Sequence, residues 1–194
     1  MKTEYEVKFL DINIEAIRQK LQKLGATLEK PMRLMRRVTI DNDAMKKKGA
    51  FLRVRDEGDR VTVTYKQFDV LSVDGAKEYE VTTSDFDEMV ALLTSAGLPY
   101  GSFQETKRET WTSNDVEVVI DEWPWLKPYI EIEAGSVEEV KDFAEKLGFS
   151  WDDAVFGDVM SAYRAQYSHL SEKDTVGNIP EVKFGDPLPD LLKK

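Results

Sequence analysis

Three segments of the chain carry apolar residues at helical spacing, and a glycine follows each of them. They are residues 14–24, 85–96 and 137–147. Apolar positions that recur every three to four residues form one stripe along a helix, and glycine is common just past a helix end. We predict three amphipathic helices, with Ser84 and Ser136 as the N-caps of the second and third, and a shorter fourth helix over 159–167.

Six other stretches alternate apolar and polar residues, as half-buried strands do. They are residues 4–9, 51–55, 61–66, 77–81, 116–121 and 129–133. The short polar segments 56–59 and 113–115 indicate hairpins. Because the helices are too few to cover both faces of a parallel sheet, we predict an α+β fold: an antiparallel sheet or barrel with helices packed outside.

On each predicted strand, one face collects ionisable side chains and the other is apolar. The ionisable faces hold Glu4, Glu6 and Lys8; Arg53 and Arg55; Lys66; Glu78 and Glu80; Glu117 and Asp121; and Glu131 and Glu133. The helices need apolar strand faces to pack on, so a closed sheet covered by helices would turn its charged faces inward. An open sheet with one solvated face and cross-strand ion pairs is the better explanation for any single strand. Recurrence over six strands favours the closed form.

A charged interior would have a defined chemistry, because unpaired buried charge costs several kcal/mol per group and has to be compensated. Water, metal ions or a polyanion could supply that compensation. Carboxylates are oxygen ligands for a hard divalent ion, while arginine and lysine bind phosphate oxygens. Together they would hold a metal–polyphosphate complex.

Composition narrows the classes of function. The net charge of −10 argues against binding a nucleic-acid duplex, whose phosphates the molecule as a whole would repel. The chain has no cysteine, which excludes thiolate metal sites and a cysteine nucleophile, and its single histidine, His169, excludes a multi-histidine site within one chain. There is no apolar run of membrane-spanning length and no signal-peptide core, so we expect a cytoplasmic protein without a membrane partner.

An ordered set of short motifs resembles the CYTH superfamily, also called triphosphate tunnel metalloenzymes. The motifs are EYEVK at 4–8, ID at 40–41, GAFLRVR at 49–55, TYK at 64–66, KEYE at 77–80, RETW at 108–111, ID at 120–121 and YIEIE at 129–133. The first motif alone is weak, but the ordered set is specific, and the resemblance covers roughly the first 170 residues. The resemblance implies an eight-stranded antiparallel β-barrel, the triphosphate tunnel, whose charged interior binds a small-molecule triphosphate and one or more Mg²⁺ or Mn²⁺ ions.

Carried over residue by residue, the resemblance also implies the roles of individual side chains. The metal ligands would be Glu4, Glu6, Asp121, Glu131 and Glu133. The phosphate-binding residues would be Lys8, Arg53, Arg55, Lys66 and Arg108. The wall carboxylates, which help to hold a metal or orient water, would be Glu78 and Glu80. The catalytic set would be Glu4, Glu6, Lys8, Lys66 and Arg108.

Two departures from the family pattern bear on function. Class IV adenylate cyclases carry a lysine two residues before the arginine that matches Arg108, and here Thr106 stands in its place. This favours a metal-dependent triphosphatase, acting on inorganic tripolyphosphate or a small organic triphosphate, over a cyclase that makes cyclic AMP and pyrophosphate. A non-catalytic polyphosphate-binding module is a third alternative. The second departure is Arg37, where an acidic or polar residue is more usual; it could add a cation to the tunnel or reach solvent.

The last part of the chain changes in composition. Residues 171–194 hold three prolines and two glycines among several charges, without a clear period. We predict a C-terminal tail beyond the 1–170 domain, either mobile or draped over the surface. A homodimer is expected from the family resemblance alone.

Overall fold

Eight β-strands close into a ring in the computed structural model, which describes residues 1–193. The strands are β1 Lys2–Phe9, β2 Thr27–Ile40, β3 Ala50–Asp56, β4 Val61–Phe68, β5 Ala76–Thr83, β6 Ser102–Ser113, β7 Val116–Glu122 and β8 Tyr129–Ala134. Their order is β2-β3-β4-β5-β1-β8-β7-β6, and β6 pairs with β2 to close the ring. Every neighbouring pair in the ring is antiparallel. The predicted α+β fold with an eight-stranded antiparallel tunnel is confirmed.

The two strands whose pairing closes the ring, β2 and β6, were not predicted from the alternation of apolar and polar residues. β2 and β6 are the longest strands, and their pairing contains register shifts between Leu28 and Lys30 and between Lys30 and Arg33. Each shift interrupts the two-residue period that identifies a strand in a sequence. From Arg33 to Thr39 the pairing of β2 with β6 is regular, and it sets Arg37 opposite Gln104.

Five α-helices flank the ring within residues 1–193, and four of them match the predicted segments. They are α1 Ile14–Lys23, α2 Asp43–Lys46, α3 Phe86–Ser95, α4 Val137–Lys146 and α5 Val159–Gln166. Ser136 caps α4 as predicted, accepting a hydrogen bond from the Glu139 amide. The predicted cap Ser84 of α3 is wrong, because Asp85 takes that position and accepts from the Glu88 amide at 2.7 Å. A carboxylate there also interacts favourably with the positive end of the helix dipole.

The main hydrophobic core lies between the outer face of the ring and two helices. Ile17 and Leu21 of α1, with Phe143 of α4, pack on the apolar faces of β1, β7 and β8. Val7 and Ile132 are among the strand residues that are fully buried there. Each such side chain contributes about 1.5–3 kcal/mol of transfer free energy. Because the helices pack on the outside of the ring, the apolar face of each strand lies outward and the charged face lies inward.

The helical cover is incomplete. α3 packs Phe86 against Val38 of β2 and Val54 of β3. On the outer face of β5, by contrast, Tyr79 and Val81 are 62% and 63% exposed. The helices pack outside the ring as predicted, but they leave β5 exposed on its outer side.

The C-terminal segment, residues 167–193, packs on one end of the ring. Strand β9, Glu181–Val182, pairs with β6 in parallel at Phe103 and Gln104. Val176, Val182 and Leu192 share a core with Met160 and Tyr163 of α5, and this core includes Trp123 and Tyr129. None of the helices in residues 1–193 is long and apolar enough to cross a membrane.

Candidate active site in the tunnel

The interior of the ring, which we call the tunnel, holds a cavity of about 770 Å³. All twelve site residues predicted from the sequence line it: Glu4, Glu6, Lys8, Arg53, Arg55, Lys66, Glu78, Glu80, Arg108, Asp121, Glu131 and Glu133. They come from seven strands, all of the ring except β2, and the alternation of side chains along each strand turns them to one side. The structure thus brings the whole predicted set together.

The order of the strands separates the charges into two arcs. The basic arc runs over β4, β3, β2 and β6 and consists of Lys66, Arg53, Arg55, Arg37 and Arg108. The acidic arc runs over β5, β1, β8 and β7 and consists of Glu78, Glu80, Glu4, Glu6, Glu131, Glu133, Glu117 and Asp121. Lys8 is the exception, because it lies on β1 within the acidic arc. One half of the wall therefore suits anionic oxygens and the other suits cations.

Lys66 connects the two arcs. Its ammonium lies 2.8 Å from Glu4 Oε2 and 3.1 Å from Glu6 Oε2. Burial lowers the pKa of Lys66, but the two carboxylates raise it more, so the net shift is upward. The contact with Glu6 has hydrogen-bond geometry, whereas Glu4 Oε2 is buried without a hydrogen bond despite the short ion pair. Lys66 thus neutralises both glutamates of β1.

Lys8 is almost fully buried beside Glu6 and Glu131. It is 3.1 Å from Glu131, 3.8 Å from Glu6, and it donates a hydrogen bond to the carbonyl of Gly157 at 2.6 Å. Burial lowers the pKa of Lys8, but Glu131 and Glu6 outweigh it and the net shift is upward. The lysine stays charged, and a carbonyl from just before α5 fixes its position.

Arg108 is held by two carboxylates of the acidic arc. Its Nε donates to Asp121 Oδ1 at 2.7 Å, and one terminal nitrogen donates to Glu131 Oε2 at 2.9 Å. Burial raises the pKa of Glu131, but Lys8 and Arg108 lower it by more, so the net shift is downward and the carboxylate stays ionised. Asp121 and Glu131 are thus neutralised by cations in the structure.

The other arginines of the basic arc are crowded against each other. Burial and the neighbouring Arg53 and Arg108 lower the pKa of Arg55 to about 9, although Glu57 offsets part of this. The pKa of Arg53 is also lowered, by burial first and then by Arg37 and Arg108. The Nε atoms of Arg53 and Arg55 are buried without a hydrogen bond. Cations that repel each other and retain unused donors mark a place where an anion would be stabilised.

The wall carboxylates Glu78 and Glu80 have different surroundings. Burial and a hydrogen bond with Glu4 raise the pKa of Glu78 to about 7. Glu80 accepts a hydrogen bond from Thr64 Oγ1 at 2.8 Å and lies 3.9 Å from Arg53. Burial raises the pKa of Glu4, but Lys66 and Glu78 lower it more, so Glu78 is the carboxyl of this pair that takes up a proton more readily.

The donor chemistry of the acidic arc fits a hard divalent ion. Glu4 and Glu78 lie side by side, and burial and Glu4 raise the pKa of Glu78 to about 7, so a cation bound between them would stabilise the ionised pair. Within residues 1–193, however, no three acidic or histidine side chains already converge on one point. The predicted ligands Glu4, Glu6, Asp121 and Glu131 are paired with Lys66, Lys8 or Arg108, and Glu133 lines the same cavity. The ligand set stays a prediction.

Several lining residues were not assigned a site role from the sequence. Glu117 extends the acidic arc, Gln104 accepts a hydrogen bond from Arg37, and Arg60 belongs to the β3–β4 hairpin. Parity already placed Glu117 on the ionisable face that it shares with Asp121, but it was given no site role. Arg37 is the open case, and the structure places it in the tunnel.

Residues after β8 line one end of the cavity. Met160 and Arg164 of α5 take part, and so does the stretch 172–178 apart from Asp174. At this end the wall of the tunnel is therefore built partly from outside the eight strands.

Comparison with known proteins agrees with this architecture. Residues 2–153 match the CYTH domain family. The chain belongs to the CYTH family, whose members include triphosphatases and adenylate cyclase-like proteins and whose tunnel enzymes generally use divalent metal ions. No curated protein matches the chain at a significant level.

Solved structures share the fold at low sequence identity. The protein PH1012 of Pyrococcus horikoshii superposes with a TM-score of 0.70 at 22% identity, over 82% of this chain and 98% of its own. A Vibrio parahaemolyticus protein described as a candidate adenylate cyclase superposes with a TM-score of 0.71 at 12% identity, over 83% and 97%. A Hippeastrum protein, described as a candidate adenylyl cyclase with a dominant triphosphatase activity, gives 0.56 at 15% identity, over 84% and 96%.

Proposed function

We propose that this protein is a metal-dependent triphosphatase that hydrolyses inorganic tripolyphosphate or a small organic triphosphate inside the tunnel. The observation that carries the proposal is the division of the cavity wall into a basic arc and an acidic arc. A polyphosphate needs cations along one side, and the divalent ion that accompanies it needs carboxylates on the other. The triphosphatase activity named for the Hippeastrum protein supports the same reaction class.

Binding would rearrange the ion pairs of the tunnel. Lys66 now neutralises Glu4 and Glu6, and Arg108 neutralises Asp121 and Glu131. Phosphate oxygens would compete for these cations, and the carboxylates released would become ligands for Mg²⁺ or Mn²⁺. This accounts for a ligand set that is gathered in one cavity but is not assembled before the substrate arrives.

The reaction forms a bond from a water oxygen to the terminal phosphorus and breaks the bridging P–O bond, which releases orthophosphate. A bound divalent ion would neutralise phosphate charge and polarise the phosphorus centre. Arg53, Arg55 and Lys66 would stabilise charge on the equatorial and leaving oxygens. A carboxylate of the acidic arc would orient the water and take its proton. Glu80, which accepts a hydrogen bond from Thr64, is the candidate for this role. No side-chain nucleophile is required.

The test is phosphorus NMR on the purified protein with Mg²⁺ or Mn²⁺, offered tripolyphosphate, thiamine triphosphate and ATP in parallel. We expect orthophosphate from at least one of them, and we expect Glu6→Gln to lower the rate at least a hundredfold. Glu138→Gln, an exposed glutamate on α4, is the matched control and should keep the wild-type rate.

Other outcomes identify the alternatives. Cyclic AMP and pyrophosphate from ATP would make the protein a class IV-type cyclase, despite Thr106 in the place of the cyclase lysine. Binding of all three compounds without turnover would make it a polyphosphate-binding module. Neither result is compatible with the proposed triphosphatase.

A further inference from the structure

Arg37 lies in the middle of the basic arc. The sequence alone did not decide whether its side chain faces the tunnel or the solvent. Its strand neighbours in the ring are Arg55 on β3 and Gln104 on β6. The side chain is only partly buried, and it lines the tunnel cavity. Arg36, the next residue along β2, points to the outside, where it pairs with Asp56.

The guanidinium of Arg37 is fixed by two contacts. It stacks on Trp123, with Cζ 4.2 Å from the ring centroid, and its Nε donates to Gln104 Oε1 at 2.8 Å. A guanidinium held over an aromatic ring gains a cation–π attraction and loses rotational freedom. Arg37 is therefore held in one orientation before any ligand binds.

A chain of hydrogen bonds connects this arginine to the C-terminal segment. Gln104 Nε2 donates to Ser102 Oγ at 3.2 Å, and Ser102 Oγ donates to the carbonyl of Ile179 at 2.6 Å. Each member donates to the next, so the amide of Gln104 has one consistent orientation, with its oxygen toward Arg37. Ile179 lies beyond residues 2–153, which match the family.

The terminal nitrogens of Arg37 have no partner of this kind. Among residues 1–193 they make no hydrogen bond and no ion pair, although carboxylates line the opposite arc. Burial first, and then the adjacent Arg55, lower the pKa of Arg37 to about 10, so it remains charged at neutral pH. The side chain thus offers up to four N–H donors and a positive charge to the cavity.

We propose that Arg37 is an additional phosphate-binding residue of the tunnel, positioned by Trp123 and by the Gln104–Ser102–Ile179 hydrogen-bond chain. This rests on the proposed function, because the ligand is the same polyphosphate. Arg37 extends the cationic wall across β2, between Arg55 and Arg108. With Arg37, the basic arc can contact more phosphate oxygens at once, and a triphosphate presents more of these oxygens than pyrophosphate does. Arg37 therefore favours the binding of a triphosphate over that of pyrophosphate.

The experiment is calorimetric titration of the full-length protein with tripolyphosphate and with pyrophosphate, without divalent ions so that no turnover occurs. Arg37→Met keeps the bulk of the side chain and its contact with Trp123 but removes the charge. We expect it to weaken tripolyphosphate binding at least tenfold and pyrophosphate binding less than threefold. Arg37→Lys should restore part of the affinity. Arg36→Met is the matched control, since Arg36 stacks on Phe86 outside the tunnel, and it should bind as the wild type does.

Two results would overturn the inference. Unchanged tripolyphosphate affinity in Arg37→Met, with a lowered melting temperature, would show that Arg37 only holds the C-terminal segment in place. A wild-type protein that does not bind tripolyphosphate would overturn the proposed function as well.

A double-mutant cycle tests the positioning chain itself. Ser102→Ala interrupts the chain, and we expect it to weaken tripolyphosphate binding about threefold in the wild-type background. In the Arg37→Met background the same change should have no further effect on affinity. An equal loss in both backgrounds would show that Ser102 acts on folding or on another residue, and would remove the chain from the proposal.

Discussion

At the scale of single residues, Glu57 has surroundings that its sequence context does not suggest. It lies in a polar turn, Asp-Glu-Gly-Asp, which predicts a solvated carboxylate. The side chain is instead 3% exposed and bonds to Arg55 and to Arg60, with Lys30 and Arg33 within 4 Å. Glu57 is thus a counterion shared by cations of β2, β3 and the β3–β4 hairpin, and two of these cations, Arg55 and Arg60, line the tunnel.

Glu57 should make the protein sensitive to acid. Burial raises its pKa, but Arg55 and Arg60 lower it more, to about 2 from an ordinary value near 4.5. A depressed folded-state pKa stabilises the fold above pH 4.5, and that contribution, on the order of 3 kcal/mol, is lost as the pH falls toward 2. We expect Glu57→Gln to lower the free energy of unfolding at pH 7 and to flatten its fall between pH 5 and 2, measured by urea denaturation.

The control for Glu57 is an exposed carboxylate on a helix. Glu145→Gln on α4 should leave both the stability at pH 7 and its pH dependence close to those of the wild type. Parallel pH profiles for the wild type and Glu57→Gln would contradict the assigned role.

At the scale of elements, the helices and most strands could be predicted, and the reason is periodicity. The three long helices follow from one apolar stripe each, and each stripe packs against the ring, although on α3 only Phe86 is buried and the rest of the stripe is partly buried. β2 was missed as a complete strand because Leu34, Met35, Arg36 and Arg37 do not alternate in polarity. Its extended form depends on pairing with β6 and β3, which are distant in the sequence.

The contact of α1 with the ring should account for a measurable part of the stability. Leu21 is fully buried between the helices and the strands. Leu21→Ala should lower the free energy of unfolding by about 2–5 kcal/mol, because it removes buried methyl groups and leaves a cavity. Leu92→Ala on α3, at a position 59% exposed, should change it by less than about 0.5 kcal/mol. Similar losses in the two variants would mean that α1 does not anchor the ring.

At the scale of the whole molecule, the candidate site depends on an order of strands that local patterns do not contain. Parity showed that each strand carries charge on one face, and the family resemblance supplied the individual roles. The two arcs arise because β1 lies between β5 and β8 and because β6 closes on β2. The direction of Arg37 was undecidable for the same reason, since it depends on the partners Gln104 and Trp123 on other strands or beyond them.

Because the charges in the tunnel are separated into two arcs, binding of a polyphosphate should change the stability of the fold. The net charge of −10 repels anions at long range, yet the basic arc concentrates cations, and burial followed by their mutual repulsion lowers the pKa of Arg55 and Arg53. A polyphosphate bound there would relieve that repulsion in the folded state only. Tripolyphosphate at one hundred times its dissociation constant should then stabilise the protein by about 2.7 kcal/mol, which corresponds to roughly 5–10 °C in melting temperature.

Thermal denaturation with matched variants decides whether this stabilisation comes from the tunnel. Arg55→Met should abolish most of the shift, because it removes a cation that lines the cavity, while Lys127→Met, which removes an exposed lysine paired with Asp11, should keep it. Sulfate at equal ionic strength should give a smaller shift, since it cannot contact the length of the arc. If sulfate matches tripolyphosphate, or if both variants respond like the wild type, the stabilisation is general screening of charge and the basic arc is not a polyphosphate site.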